Sequence, residues 1–143
     1  MAPKTSKGKG KPKKTLYSTL QRKADMVQSQ YIRRKASKDG MCTCVSCGIV
    51  LPWQEMDAGH YIPKSRGASI RYHEENIHPE CRSCNRFDEG HLSGYTLYMI
   101  DMYGREKIDE LKREAKKVLT ASEKYRITEE AFNYYSAKLK EME

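Results

Sequence analysis

Apolar positions near the start of the chain repeat at helical spacing. Leu16, Leu20, Val27 and Tyr31 fall close to one face of a helix, and Thr15 stands where a helix N-cap is expected. The turn-forming letters KDG at 38–40 end this pattern. The sequence therefore predicts one amphipathic helix over residues 15–38.

The middle of the chain lacks helical periodicity and shows short apolar runs instead. Residues 49–51, 61–62 and 70–72 are expected to be extended, and the letters KSRGA between the last two runs are expected to form a loop. A helix is expected to begin near residue 81 and to reach residue 87. The predicted order is thus strand, loop, strand and helix.

Three helices are predicted for the last third of the chain, from the letters GYTLYMIDMYG, REKIDELKREAKKVL and ITEEAFNYYSAKLKEME. Gly104 separates the first two, and Thr128 is expected to begin the third. The third helix carries one apolar stripe, formed by Phe132, Tyr135, Leu139 and Met142. Packing in the core is the default interpretation of this stripe, and packing against a second copy of the chain is the alternative.

Length and composition fit one domain with a lean core. The chain has 143 residues, 38% of them hydrophobic, and it contains two Phe and one Trp. It has no run of about 18 apolar residues and no apolar core of a signal peptide. The sequence therefore predicts neither a membrane span nor secretion and favours an intracellular protein.

Positive charge is concentrated at the start. Residues 1–38 hold twelve Lys or Arg and one acid, a net charge of +11, whereas residues 39–143 hold fifteen bases and eighteen acids, a net charge of −3. Residues 1–14 combine Lys, Gly and Pro with little apolar surface, so we expect an arm that is disordered when free. The charge of this arm favours binding to the phosphates of DNA. A solubilising tail is the alternative interpretation, and binding to a membrane surface lacks an anchor. The candidate DNA contacts are Lys4, Lys7, Lys9, Lys11, Lys13, Lys14, Arg22, Lys23, Arg33, Arg34 and Lys35.

Two CxxC pairs carry the strongest chemical signal. Cys44 and Cys47 form one pair, and Cys81 and Cys84 form the other. Four thiolates on two tight turns can close around one zinc ion, and a reducing compartment argues against disulfides. Cys42 is the fifth cysteine; the two-residue spacing favours Cys44 over it as a ligand.

The letters CVSCG, AGHY, NIHPECRSCN and EGHLSGY, chained over residues 42–105, resemble the HNH, or ββα-metal, nuclease family. Within that family they are similar to the phage recombination endonucleases called NinG or Rap. The knuckle CRSCN, followed by an acid and a Gly, also resembles the junction resolvase endonuclease VII. The resemblance implies a zinc-stapled, treble-clef-like ββα-metal core over residues 39–105. Together with the helices predicted from periodicity over residues 15–38 and 106–143, this core gives an α+β fold.

The resemblance also implies roles for three residues. His60 matches the general base that activates water for attack on a phosphodiester, a task that suits an imidazole titrating near neutral pH. Asn85 matches the position whose oxygen binds a catalytic Mg²⁺ or Mn²⁺, a hard cation that prefers oxygen ligands. Asn76 matches the central Asn that fixes the loop backbone so that the His points correctly. Asn also favours turns and helix caps, so these two roles compete with a purely structural one.

The second ligand of the catalytic metal departs from the pattern of the family. Many members have Asp or His directly before the catalytic His, but this chain has Gly59 there, and the nearest acid is Asp57. In a regular strand residues 57 and 60 point to opposite faces, so we expect a bulge or turn at Gly59 that brings both to one ion and leaves room for the phosphate. The weaker candidates are Asp88, Glu89 and His91, and the remaining histidines, His73 and His78, match no catalytic position.

Three classes of function follow from these patterns. The first is a metal-dependent, structure-selective endonuclease, dimeric as its relatives imply, that cleaves branched recombination intermediates such as Holliday junctions and D-loops. The second is a zinc-knuckle DNA-binding protein without catalysis. The third is an HNH nuclease of another specificity, such as a nicking or restriction enzyme. A phage-encoded enzyme of the first class would act in the cytoplasm of a bacterial host.

Overall fold

The computed structural model describes residues 15–87 and 92–143. Its helices and strands follow one another as α1 (Leu16–Ala36), β1 (Met41–Thr43), β2 (Val50–Pro52), β3 (Met56–His60), β4 (Ile77–Cys81), α2 (Arg82–Phe87), α3 (Leu92–Tyr103), α4 (Arg105–Ala115) and α5 (Ala121–Glu141). Short 3₁₀ turns lie at Trp53–Glu55, Ala68–Ile70 and Glu74–Asn76. The fold is therefore a mixture of helices and small strands, as the sequence predicts.

The first helix is confirmed. Its N-cap is Thr15, whose hydroxyl oxygen accepts a hydrogen bond from the Ser18 amide at 3.0 Å. The chain leaves α1 through Asp39 and Gly40, both with positive φ, as expected from the turn signal KDG.

The strands form two antiparallel pairs, β1 with β2 and β3 with β4. In the second pair five consecutive residues match without interruption, from Met56 opposite Cys81 to His60 opposite Ile77. The expectation of a bulge or turn at Gly59 is therefore wrong. β3, β4 and the short helix α2 follow in the predicted order of strand, strand and helix.

The strand predicted at residues 70–72 lies later in the chain, as β4. Residues 70–72 close a 3₁₀ turn, in which Ile70 is fully buried, so these apolar side chains are buried by packing and not by strand pairing. The pairing segment is Ile77–Cys81, all five residues of which are buried. This strand contains His78, Pro79 and Glu80, so it lacks the apolar alternation by which a strand is predicted.

The C-terminal helices agree in number with the prediction, and one start differs. Helix α5 begins at Ala121 because Thr120 and Glu123 form a capping box there. Thr128, the predicted start, is buried inside the helix, and its hydroxyl donates to the Lys124 carbonyl at 2.7 Å. No helix within residues 15–87 and 92–143 is long and apolar enough to cross a membrane.

The core is divided into three clusters. One joins α1 to α5, where the Tyr31 and Tyr135 rings lie 5.6 Å apart. Another joins α3 and α4 through residues such as Met99 and Leu111. The third surrounds Met56 and the cysteines. The α5 stripe contributes to the first cluster, since Tyr135 is buried and Phe132 and Leu139 pack against it, whereas Met142 is exposed.

Candidate metal centre and cleft

The four predicted cysteines converge. The Sγ atoms of Cys44, Cys47, Cys81 and Cys84 all lie within 4.8 Å of one another, and the Sγ atoms of Cys47 and Cys81 are 3.8 Å apart. Four sulfur atoms at this spacing can hold one tetrahedral ion such as zinc. Cys42 stays outside the cluster and approaches the carbonyl of Arg33 instead.

Local backbone geometry forms the first knuckle. Gly48 adopts a φ of 82°, and its amide donates to the Cys44 carbonyl at 2.9 Å, which closes a tight turn between the two cysteines. Helix α3 packs directly on this turn. A Cβ on Gly94 would lie only 2.1 Å from the Ser46 carbonyl oxygen, so only glycine permits this approach.

His60 ends β3 with one ring nitrogen engaged. Its Nε2 lies 2.8 Å from the carbonyl oxygen of Arg71. A carbonyl only accepts, so Nε2 carries the hydrogen and Nδ1 keeps a free lone pair in the neutral ring. Burial lowers the pKa of His60 to about 4, against a smaller opposite effect of the hydrogen bond to Arg71. The imidazole is therefore neutral at pH 7 and able to accept a proton.

Asn76 fixes the backbone that follows His60. Its side chain is fully buried; Oδ1 accepts from the Ile62 amide at 2.9 Å and Nδ2 donates to the Ile62 carbonyl at 3.0 Å. The Asn76 carbonyl also accepts from the Tyr61 amide at 2.8 Å. All three bonds hold the two residues after His60, so Asn76 is a positioning residue and has no direct access to a substrate.

Asp57 and Asn85 lie side by side. The Asn85 Nδ2 donates to the Asp57 Oδ2 at 3.0 Å, which places an amide of α2 beside a carboxylate of β3. The guanidinium of Arg86 also contacts the carboxylate, with Nε 2.9 Å from Oδ2 and Nη2 3.2 Å from Oδ1. A cationic group already binds these oxygens, and their chemistry suits a hard divalent cation.

A cleft of about 350 Å³ brings the predicted residues together. Asp57, His60 and Asn85 all line it, although Asp57 and His60 lie on opposite faces of a regular strand. Within the described residues β3 pairs only with β4, and the cleft reaches residues of α1 on one side and of α2 on the other. The cations that line it are Arg33, Lys64, Arg82 and Arg86.

The space beside Gly59 was expected to hold a phosphate. In the structure the side chains of Glu80 and Asn85 occupy it. A Cβ at this position would lie 2.0 Å from the Glu80 Oε1 and 3.0 Å from the Asn85 Oδ1. Glu80 is buried, and its Oε2 accepts from the Ser46 hydroxyl at 2.6 Å. Glu80 thus brings a carboxylate from β4 to the place where a side chain preceding His60 would begin.

Comparison with known proteins identifies the family of this chain. A family model described as bacteriophage Lambda NinG protein matches residues 1–143. The chain belongs to the NinG family. Protein ninG of Escherichia phage lambda is 33% identical over 90 residues, which are 63% of this chain and 42% of that protein. Protein ninG of Salmonella phage P22 is 31% identical over 96 residues, 67% of this chain and 45% of that protein. The chain thus spans less than half the length of these relatives, and no solved structure matches it.

The basic residues of this NinG-family chain differ in their surroundings. Arg22 and Lys23 are exposed on α1. Arg33 donates to the carbonyls of Trp53 and Met56, both at 3.3 Å, and its guanidinium lies 5.2 Å from the Trp53 ring. Arg34 also lies over Trp53, and Lys35 pairs with Glu74 at 3.1 Å. The predicted lysines of the arm, together with Asp88, Glu89 and His91, lie outside the described residues.

His78 is a structural residue. It is buried, and its Nε2 accepts from the Tyr103 hydroxyl at 2.8 Å while its Nδ1 donates to the Tyr95 hydroxyl oxygen at 3.1 Å. The Tyr95 hydroxyl in turn donates to the Gly59 carbonyl at 2.7 Å, which fixes these hydrogen positions. The chain of bonds holds the backbone beside His60 from the side of α3.

Sequence reasoning missed three residues of this site. Glu80 was hidden in a strand that was not recognised, although an acid directly before Cys81 is its signal. Asp25 is the one acid among the first 38 residues, and it lines the cleft. Arg71 contributes its main-chain carbonyl, which no side-chain motif reveals.

Proposed function

We propose that this NinG-family protein is a metal-dependent, structure-selective DNA endonuclease that hydrolyses branched recombination intermediates such as Holliday junctions and D-loops. The observation that carries the proposal is the neutral His60 imidazole, held with Nδ1 free, in the same cleft as Asp57 and Asn85. A base, oxygen ligands and cations in one cleft are the parts that phosphodiester hydrolysis requires.

In this mechanism His60 Nδ1 takes a proton from the attacking water. Lys64 and Arg82 lie at the cleft, where they would bind the phosphate oxygens on either side of the scissile bond. Asp57 and Asn85 would hold Mg²⁺ or Mn²⁺, which supplies charge stabilisation at the leaving oxygen when bound. Asn76 and Arg71 keep the imidazole in place, the former through the backbone and the latter through its carbonyl.

Zinc has a separate, structural role in the proposal. The four cysteines would hold it at the junction of β1, β4 and α2, where it would contribute folding energy to a lean core. Asn85 directly follows Cys84, so the zinc knuckle would also set the position of a ligand of the catalytic metal.

Selectivity for branched DNA rests on the resemblance to phage recombination endonucleases. The basic arm and the exposed Arg22 and Lys23 would bind backbone phosphates without reading sequence. Dimerisation also rests on the resemblance, because the α5 stripe that suggested it is largely used against α1.

The first test is cleavage of labelled duplex, single-stranded, flap, D-loop and four-way-junction DNA with Mg²⁺. His60→Ala is expected to retain zinc and DNA affinity and to lose cleavage by roughly 100-fold or more, the usual contribution of a positioned base. His73→Ala is the matched control, since His73 is exposed and lies outside the cleft.

Each outcome separates the candidate functions. Full cleavage by His60→Ala would reject the mechanism and favour the zinc-knuckle DNA-binding protein. Equal cleavage of linear duplex and junctions would favour a nuclease of another specificity. Omission of Mg²⁺ from zinc-loaded protein should stop cleavage, and Asn85→Ala should be partly rescued by excess Mg²⁺ or Mn²⁺ whereas His60→Ala should not.

A further inference from the structure

An ion pair links helix α1 to the residue that orients His60. The carboxylate of Asp25, in the third turn of α1, receives two hydrogen bonds from Arg71. Arg71 Nε lies 3.0 Å from Asp25 Oδ1, and Arg71 Nη2 contacts Oδ2. Both side chains are largely buried, with 18% of Arg71 and 29% of Asp25 exposed. A bidentate, partly buried pair fixes position better than a single contact between exposed side chains.

The same residue, Arg71, accepts the hydrogen bond from His60 Nε2 through its carbonyl. Arg71 follows a 3₁₀ turn and pairs with no strand among residues 15–87 and 92–143, so the structure around it must fix where this carbonyl points. The next carbonyl, of Tyr72, is held from α5 by the Tyr135 hydroxyl at 2.6 Å. The Arg71 side chain provides the corresponding attachment to α1.

Asp25 also affects the charge that develops on His60. It lines the same cleft, and its negative charge favours the imidazolium that forms when His60 takes a proton. Arg71 and Lys64 act in the opposite direction. Their effects on the pKa of His60 are larger than that of Asp25, so the carboxylate acts on His60 mainly by holding its hydrogen-bond acceptor.

We propose that Asp25 is a positioning residue for His60, which acts through the Arg71 guanidinium and the Arg71 carbonyl to keep one tautomer of the ring facing the cleft. The arrangement is Asp25, Arg71 and His60 in series, with a main-chain carbonyl contacting the base where a carboxylate does so in other hydrolases. The catalytic consequence rests on the proposed nuclease function, whereas the effect on the ring does not.

The test compares Asp25→Asn, Arg71→Lys and the control Glu74→Gln. Glu74 also forms an ion pair with α1, through Lys35 at 3.1 Å, but it does not hold the residue that contacts His60. Asparagine keeps the shape and one acceptor oxygen of Asp25, so the fold should be retained. Lysine at position 71 keeps the charge and loses the bidentate geometry.

The first readout is the ¹⁵N chemical shift of the His60 ring nitrogens at neutral pH. In the parent protein and in Glu74→Gln we expect one protonated nitrogen, Nε2, and one bare nitrogen, Nδ1. In Asp25→Asn the two shifts should move toward each other as the second tautomer becomes populated, with a smaller change in Arg71→Lys. Unchanged His60 shifts in Asp25→Asn would overturn the proposal.

The second readout is junction cleavage. Asp25→Asn should lower kcat by roughly 10- to 100-fold, the range expected when a catalytic group is misplaced, with little change in KM. An equal loss in Glu74→Gln would overturn the proposal in favour of a general stabilising role. If the parent protein cleaves no DNA, the nuclease function fails, and the ring shifts still decide whether Asp25 positions His60.

Discussion

At the scale of single residues, the site depends on close approaches that only certain side chains allow. Gly59 lets the carboxylate of Glu80 and the amide of Asn85 reach the backbone directly before His60. The Arg71 carbonyl selects the tautomer of His60, and burial keeps the ring neutral by lowering its pKa to about 4. A glycine, a main-chain carbonyl and burial thus determine the surroundings, the tautomer and the charge of the His60 imidazole.

Gly59→Ala should therefore destabilise the protein. The new methyl group would overlap the Glu80 carboxylate, and displacement of a buried group of this kind typically costs roughly 1–3 kcal/mol. The measurement is the free energy of unfolding in urea with zinc present. Cleavage should fall as well, because Asn85 lies against the same position.

A double substitution shows whether this overlap is the cause. Glu80→Ala removes the obstructing carboxylate, so Gly59→Ala should cost less in the Glu80→Ala background than in the parent protein. Equal costs in the two backgrounds would show that the destabilisation has another origin.

The candidate site was predicted better than the strands that carry it. The CxxC spacing predicted the cysteine cluster, and the motifs around His60 and Cys84 predicted three side chains that line one cleft, Asp57, His60 and Asn85, because those side chains are chemically distinctive. Glu80, Asp25 and the Arg71 carbonyl could not be predicted from the same pattern. Each acts through contacts between segments distant in sequence, such as the 46 residues that separate Asp25 from Arg71.

At the scale of elements, the failure to predict strand β4 has one physical cause. Strand β4 is buried along its whole length although it contains His78 and Glu80, since tyrosine hydroxyls satisfy the former and Ser46 binds the latter. Buried polar side chains with partners break the apolar alternation by which strands are recognised. Helices α3 and α4 were predicted well because their buried apolar positions face a single cluster.

The contact of α3 with the first cysteine knuckle gives a prediction about an element. Gly94→Ala should destabilise the protein by roughly 1–3 kcal/mol and weaken zinc retention, because the added methyl group meets the Ser46 carbonyl. Helix propensity alone predicts the opposite sign, since alanine is better than glycine in a helix by about 1 kcal/mol.

The control is Leu97→Ala on the same helix, where 64% of the leucine is exposed. Thermal unfolding and competition with a zinc chelator measure the two effects. A Gly94→Ala variant as stable as the parent, with unchanged zinc retention, would show that α3 does not depend on this close approach.

At the scale of the whole molecule, charge separates the arm from the rest. Residues 1–14 carry six lysines and no acid, whereas residues 39–143 have a net charge of −3. The excess of positive charge is therefore separate in sequence from the four cysteines and from His60, although four cations also line the cleft. Binding and hydrolysis should respond to different changes in the chain.

Deletion of residues 1–14 should weaken DNA binding and flatten its dependence on salt. Each lost phosphate contact should reduce the slope of log K against log salt by about 0.9. The slope is measured from the affinity for a DNA junction at several salt concentrations between about 50 and 200 mM. Replacement of the six lysines by arginine should preserve it, and an unchanged slope after deletion would show that the arm does not contact DNA.

The hydrogen bond between Ser46 and Glu80 couples the cleft to the oxidation state of the cysteine cluster. Ser46 lies between Cys44 and Cys47, and Cys47 is solvent-exposed with its sulfur 3.8 Å from that of Cys81. A disulfide formed from these two thiols would remove one candidate zinc ligand from each CxxC pair and shift Ser46, and with it the carboxylate that lies beside Gly59 and Asn85. An oxidant that reaches Cys47 would thus disable the proposed hydrolysis without reacting with His60 or Asp57, and a thiol reductant together with zinc would restore it.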